Sequence, residues 1–364
     1  MNNKFIDTNN IKVVKTADFN MHFNKHSGYT EIYGKTEKDN PETAPAPTHL
    51  DIEICGGCDG HMLHICGIKT KNGNIISPCY KSNSNLDMNE YMSFETFKEL
   101  FKNFDKRYLT QIAFGTDARL CNNPDIWKIL EYTRSEGIIP NLTCAYADKD
   151  TAKELVRLCG GIAVSRYHDK RFCYETIHNL LEALQKSKRK FMDINMHILV
   201  CEENYNNILE TIKDYHTDER LKGMNAIVLL TLKQIGRGIY FHQLSYNKYK
   251  NIIKEMINNN IIFGADSCGC IQFYNALKET NSIIAENNKE NIERCESSRY
   301  SFYIDYKGKG YPCSFCPGSK DWKEGIDIIS NFWNHPKVLE FRKININCKN
   351  DCPVYGNLFM EENK

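Results

Sequence analysis

The sequence predicts an α/β protein, and two patterns predict it. Between about residues 48 and 260, short apolar segments of strand character alternate with stretches of helical period. Six such strand-helix pairs follow one another, which implies a parallel sheet with helical crossovers, either an open sheet or an incomplete barrel. At 364 residues the chain exceeds the usual size of one core, so one large unit and a smaller one are expected.

The strands are expected over residues 49–54, 109–115, 139–147, 161–167, 193–200 and 226–233. The helices between and after them fall at 94–104, 124–136, 151–159, 173–186, 204–215 and 246–259. Pro124 suits a first helical turn, where its missing N–H is not needed. In a sheet of this kind the C-terminal ends of the strands carry the chemistry. Residues 1–47 are polar and end in Pro41-Glu42-Thr43-Ala44-Pro45-Ala46-Pro47, a composition suited to an extended lead-in. After about residue 260 the order changes to a cysteine-rich tail with a hairpin-like segment at 300–311.

Composition excludes several classes. Lys+Arg 47 against Asp+Glu 46 gives a formal charge of +1, which removes the main electrostatic argument for a nucleic-acid or anionic-membrane partner. Apolar runs such as that at 226–230 fall far short of the roughly 20 residues of a membrane span. The polar start, Met1-Asn2-Asn3-Lys4, has no apolar segment before a cleavage site, so a cytoplasmic location is expected.

Sixteen cysteines are the unusual count, because a surplus of thiols in a reducing compartment points to metal binding or redox chemistry. Cys121, Cys144, Cys159, Cys173 and Cys201 stand singly in helical or strand patterns and read as small hydrophobes. The others form two groups. Leu50-Asp51-Ile52-Glu53-Ile54 runs into Cys55-Gly56-Gly57-Cys58-Asp59, with Cys66 and Cys79-Tyr80 following in one irregular loop. Thiolates hold iron-sulfur clusters, and a loop leaving a strand's C-terminal end is where such a scaffold presents a cofactor. A structural zinc site of four thiolates is the alternative.

These residues resemble the radical S-adenosylmethionine (SAM) superfamily, whose first strand reads roughly I-E-I-T-x-x-C-N and whose loop carries C-x3-C-x2-C. Ile52-Glu53-Ile54 places Cys58 at the first ligand and Cys79, followed by the aromatic Tyr80, at the last. Three residues back from Cys79 stands Ile76, which cannot bind iron, so Cys66 is the expected second ligand, in a C-x7-C-x12-C loop, with Cys55 as its alternative. The resemblance extends to Gly115-Thr116-Asp117, where the family has Gly-Gly-Glu-Pro near the methionine amino group. It also covers Ser165-Arg166, at polar contacts to the SAM carboxylate and ribose, and Gly236-Arg237-Gly238, near adenine. It implies a partial (β/α)6 TIM-type barrel over 48–245, with Tyr80, Gly115, Asp117, Ser165, Arg166 and Arg237 at SAM.

The second group opens with Cys295-x12-Gly308-x4-Cys313, similar to the SPASM pattern of radical SAM enzymes that modify peptides and carry auxiliary clusters. Cys313-x2-Cys316 and Cys348-x3-Cys352 follow. The resemblance implies a small cysteine-rich α+β domain at 246–364 with one auxiliary cluster on Cys268, Cys295, Cys313 and Cys352. Cys270, Cys316 and Cys348 are held in reserve, and a zinc ribbon of Cys313/Cys316 with Cys348/Cys352 is the alternative.

Taken together, the resemblance implies one catalytic and one auxiliary 4Fe-4S cluster, reductive cleavage of SAM, hydrogen abstraction from a peptide or protein side chain, and a reductant such as flavodoxin or ferredoxin. The other readings are an RNA- or small-molecule-modifying enzyme of the same type, or a non-catalytic zinc-binding protein. With balanced charge and no basic arm, RNA is the weaker substrate choice.

Overall fold

The computed structural model describes residues 3–57, 63–79, 90–120, 122–292, 294–348 and 352–354. Alternating side-chain exposure starts early. Strands β1 (Lys4–Asp7), β2 (Ile11–Lys15), β3 (Asn20–Asn24) and β4 (Thr30–Tyr33) form an antiparallel sheet. Val14, Phe19 and Met21 bury one face of it against Tyr108, Ala44 and Ala46. The extended lead-in that composition predicts for residues 1–47 is corrected here: residues 4–33 fold into strands because a few apolar residues in period two find a partner outside the segment. Lys12 is drawn in too. Its ammonium donates to the carbonyls of Lys106 (2.7 Å) and Leu109 (2.6 Å), fastening this sheet to the main body.

Among the described residues the main sheet has ten strands. Strand β5 (His49–Glu53) leads, through helix α1 (Leu63–Cys66) and the short pair β6 (Ile68–Lys69) and β7 (Ile75–Ile76), to helix α2 (Phe94–Phe101). Then β8 (Gln111–Gly115), α3 (Ile126–Ser135), β9 (Ile139–Cys144), α4 (Lys149–Leu158), β10 (Gly161–Arg166) and α5 (Lys170–Lys186) alternate. The series closes with β11 (Asp193–Val200), α6 (Tyr205–Asp214), β12 (Ala226–Thr231), α7 (Tyr246–Asn258) and β13 (Phe263–Ala265). Strands β5 and β8 to β13 pair in parallel in chain order, as expected of strands joined by helices. Helix starts are capped locally: Ser93 accepts from the Thr96 N–H, and Asp148 from that of Thr151.

The chain then adds α8 (Cys270–Thr280) and α9 (Ser282–Asn287) before returning to the far side of β5. Strand β14 (Ser301–Ile304) pairs there in parallel with β5, and β15 (Lys309–Tyr311) and β16 (Ile326–Asp327) extend the sheet antiparallel. Gly308 supplies the left-handed turn between β14 and β15 with φ 81°. Helix α10 (Pro336–Asn347) follows. Phe302 of β14 is fully buried against Phe332 and Trp333, with centroids 5.4 and 6.1 Å away. Phe302→Ala is expected to destabilise the protein by about 3–5 kcal/mol, read as a lower midpoint in urea unfolding, because it leaves a ring-sized cavity.

The two faces of the parallel sheet differ. On β10 and β11 Ile162, Val164, Ile194, Met196 and Ile198 are buried under the helices. Their neighbours Gly161, Ala163, Ser165, Asp193, Asn195 and His197 stay partly exposed. A parallel sheet is ordinarily apolar on both faces, so this partly exposed, more polar face departs from the usual pattern. Among the described residues no helix is long and apolar enough to cross a membrane.

Candidate functional site

The loop after β5 is carried across the C-terminal ends of the strands. The His168 N–H, just past β10, donates to the Gly67 carbonyl at 3.0 Å. The Arg237 N–H, in the turn after β12, donates to the Cys79 carbonyl at 3.2 Å. Ile68, Cys201, Leu232 and Phe241 form a buried apolar knot beneath, flanked by Ile76 and Leu199. Cys66, buried at the end of α1, and Cys79, partly exposed, therefore lie at the C-terminal edge of the parallel sheet. Cys58 and Tyr80, as well as Cys121, lie outside the described residues.

Cys55 is buried at the end of β5, and its thiol donates to Asp117 Oδ1 at 3.9 Å. Asp117 is also buried, and accepts the backbone N–H groups of Arg119 and Asn122, each at 3.1 Å. Its carboxylate thus organises the turn after β8. Gly115 leaves room for Glu53: a Cβ at 115 would stand 2.7 Å from the Glu53 carboxylate.

Ser165 and Arg166 point to opposite sides of β10, as consecutive strand residues must. Ser165 is on the partly exposed face. Arg166 is buried on the helix side, donating to Glu210 at 2.9 Å and to the His168 carbonyl at 3.1 Å, with Tyr174 beside it. Arg237 presents a buried Nε with no hydrogen-bond acceptor among the described residues. An orphaned guanidinium nitrogen beside the Cys79 backbone suits a bound group carrying acceptors.

The second cysteine group gathers between β12, β13 and the β14–β15 hairpin. The thiols of Cys268, Cys295 and Cys313 lie within electrostatic reach of one another; burial pushes Cys268 and Cys295 above the usual thiol range, and the contact with the Cys316 thiol, together with burial, does the same for Cys313. Cys316 Sγ is 3.5 Å from Cys313 Sγ. Cys270 couples to Cys295, and burial pushes it up to about 11. Asn345 of α10 donates to the Cys295 carbonyl at 3.3 Å and lies 3.7 Å from its sulfur. Cys348 caps α10, with Cys352 beyond it. Among the described residues no three His, Cys, Asp or Glu side chains form a group that could hold a single metal ion. A donor set of thiols alone is that of an iron-sulfur cluster or of a thiolate zinc site. Of the single cysteines, Cys144, Cys159, Cys173 and Cys201 are buried, and burial holds the last three up at about 12, as inert packing thiols.

Sequence reasoning passed over Lys233 and Asp266. The buried Lys233 ammonium donates to Asp266 Oδ2 at 2.5 Å, hydrogen-bonds Cys268 and faces the Phe315 ring at 4.8 Å. Asp266 also accepts from the Thr231 hydroxyl at 2.6 Å. Asp266, two residues before Cys268, was the available signal: its pair fixes the backbone from which the thiol projects.

No protein-family model matches the chain, and no curated protein is significantly similar to it. Among solved structures it is similar to native anSMEcpe with bound AdoMet and the Cp18Cys peptide, at 16% identity and TM-score 0.51, over 83% of this chain and 85% of that one. The two share a fold. Two further structures align at TM-score 0.34: an HpcH/HpaI aldolase from Desulfitobacterium hafniense DCB-2 (9% identity, 67% and 93% of the chains) and an HMG-CoA lyase from Acenitobacter baumannii (14%, 76% and 80%).

Proposed function

We propose that this chain is a radical SAM enzyme that modifies a peptide or protein side chain. The observation that carries the reading is the placement of Cys66 and Cys79, in the loop whose sequence resembles the superfamily's cluster loop, beside the Arg237 turn at the C-terminal edge of a parallel sheet. The fold shared with a structure that holds AdoMet and a peptide supports it. Strands β5 and β8 to β12, parallel in chain order, suit a partial (β/α)6 barrel over 48–245; the tail from 246, which adds β13 to β16 to the same sheet, would carry the auxiliary cluster.

Cys58, Cys66 and Cys79 would hold the catalytic cluster, with Cys55 the alternative to Cys66. When bound, that cluster supplies the electron that cleaves SAM to methionine and a 5′-deoxyadenosyl radical. The protein's part is position and shelter. Ser165 offers a hydroxyl on the open face, Arg237 a guanidinium with an unfilled donor, and Gly115 a backbone free of a side chain, while Asp117 keeps the adjoining turn in shape. The apolar knot under the loop seals the edge from below. A flavodoxin or ferredoxin would deliver the electron in the cytoplasm.

Protein reconstituted anaerobically with iron and sulfide should be brown and, with dithionite and SAM, form 5′-deoxyadenosine. Colourless, zinc-loaded protein that leaves SAM intact would overturn the reading. For the tail alone, a second reading has a specific observation behind it: the 3.5 Å separation of Cys313 and Cys316 is close to the roughly 3.8 Å between two thiolates on one tetrahedral zinc. Metal analysis separates the two.

A further inference from the structure

The polar face of β11 carries three side chains in register, Asp193, Asn195 and His197, which line one cavity of about 270 Å³. None of the three makes a side-chain hydrogen bond or ion pair with the described residues. Asn195 Oδ1 is buried with no hydrogen-bond partner among the described residues. Burial pushes the Asp193 carboxyl up and the His197 imidazole down to about 4, leaving it neutral near pH 7. Buried acceptors without partners are rare in folded proteins and call for a group from outside.

The surroundings keep this row open. Gly28, in the β3–β4 turn with φ 70°, and Gly161 both face Asp193, and a Cβ on either would come within 3.5 and 3.2 Å of it. Of the nearby cations among the described residues, Lys25 is paired with Asp7 at 2.5 Å, and Arg189 donates to the carbonyls of Val156 and Cys159, so that its charge reaches Asp193 without a hydrogen bond to it. Asn141, across the cavity, is occupied by Gln111 and the Gly161 N–H. What remains unfilled is a carboxylate, an amide oxygen and a neutral imidazole in a line, at about 6.6 Å between alternate residues.

We propose that this cavity is a second ligand site, which binds the ammonium end of a primary amine against Asp193 and Asn195, with His197 contacting the stem. The volume equals about nine waters, enough for a lysine side chain or a small free amine. The site is at the N-terminal ends of the strands. From Asp193 to Val200 the strand rises about 23 Å, so the amine sits at the opposite end of the sheet from the cysteine loop. The inference stands apart from the radical SAM reading, because it requires neither cluster nor SAM.

The test is calorimetric titration of the full-length chain, as purified, with 1,5-diaminopentane, Nα-acetyl-lysine amide and the ammonium-free control Nα-acetyl-norleucine amide. At least one amine is expected to bind saturably and at least tenfold more tightly than norleucine amide. Preference between the two amines tells a free amine from a side chain. Asp193→Asn should weaken the amine at least tenfold. Asn195→Leu should do the same while raising Tm, since it removes an unpartnered acceptor; this gain shows that the variant folds. Absence of saturable amine binding, equal binding of norleucine amide, or undiminished binding in folded Asp193→Asn would overturn the proposal.

Discussion

Cys66→Ala is expected to abolish SAM cleavage, whereas Cys55→Ala is expected to keep most of it. The two thiols compete for the middle position of a loop whose spacing departs from C-x3-C-x2-C, and their surroundings separate them. Cys66 ends a single helical turn in the loop that reaches across to Gly67–His168 and Cys79–Arg237 contacts. Cys55 sits at the root of the loop, buried with its thiol on Asp117, whose remaining bonds hold the turn after β8. Loss of a cluster ligand should lower 5′-deoxyadenosine formation by more than the 10–100-fold typical of outer-shell changes, to more than about 100-fold. Loss of the Cys55 thiol should instead cost about 1 kcal/mol of stability. Anaerobic turnover, followed by chromatography of 5′-deoxyadenosine, and urea unfolding measure the two effects. An inactive, iron-poor Cys55→Ala beside an active Cys66→Ala would move the ligand role to Cys55.

Cys295→Ala combined with Cys313→Ala is expected to reduce iron per chain to roughly half, if each cluster is held by its own thiolates, while some 5′-deoxyadenosine continues to form without substrate modification. Both thiols are half-buried, lie within electrostatic reach of each other and, with Cys268, form a group separate in sequence from the N-terminal loop. A metal held by such a group ties local folding to itself, so the double variant should also lose thermal stability. Iron and zinc are to be measured together. Unchanged iron with the loss of one zinc would make the tail a zinc site, in line with the 3.5 Å approach of Cys313 and Cys316, and would remove the main support for a peptide substrate.

The residues by themselves determined the parts of this protein that depend on short-range order. The segments at 49–54, 161–167 and 193–200 read as strands because apolar residues recur at every second position, and β5, β10 and β11 occupy them almost to the residue. The helices that follow are equally local, since the 3.6 period and caps such as Ser93 and Asp148 lie within each segment. The hairpin-like segment at 300–311 is local in the same way, and β14 and β15 form it around Gly308.

Only the tertiary structure decided what depends on distant partners. Residues 4–33 fold because Tyr108, Ala44 and Ala46 complete their core, and none of these lies within the four strands. Strand β14 enters the main sheet beside β5, about 250 residues away in sequence, a pairing no local pattern encodes. Ser165-Arg166 shows the same limit in two residues: a motif match sets them side by side, but the pleat sends Ser165 to the open face and Arg166 under the helices to Glu210. The row Asp193, Asn195, His197 was spelled out in the sequence at alternate positions. That it lines a cavity with no side-chain hydrogen bond among the described residues follows from the packing of β8 to β11 and the β3–β4 turn, because a side chain's lack of a partner is a property of everything folded around it.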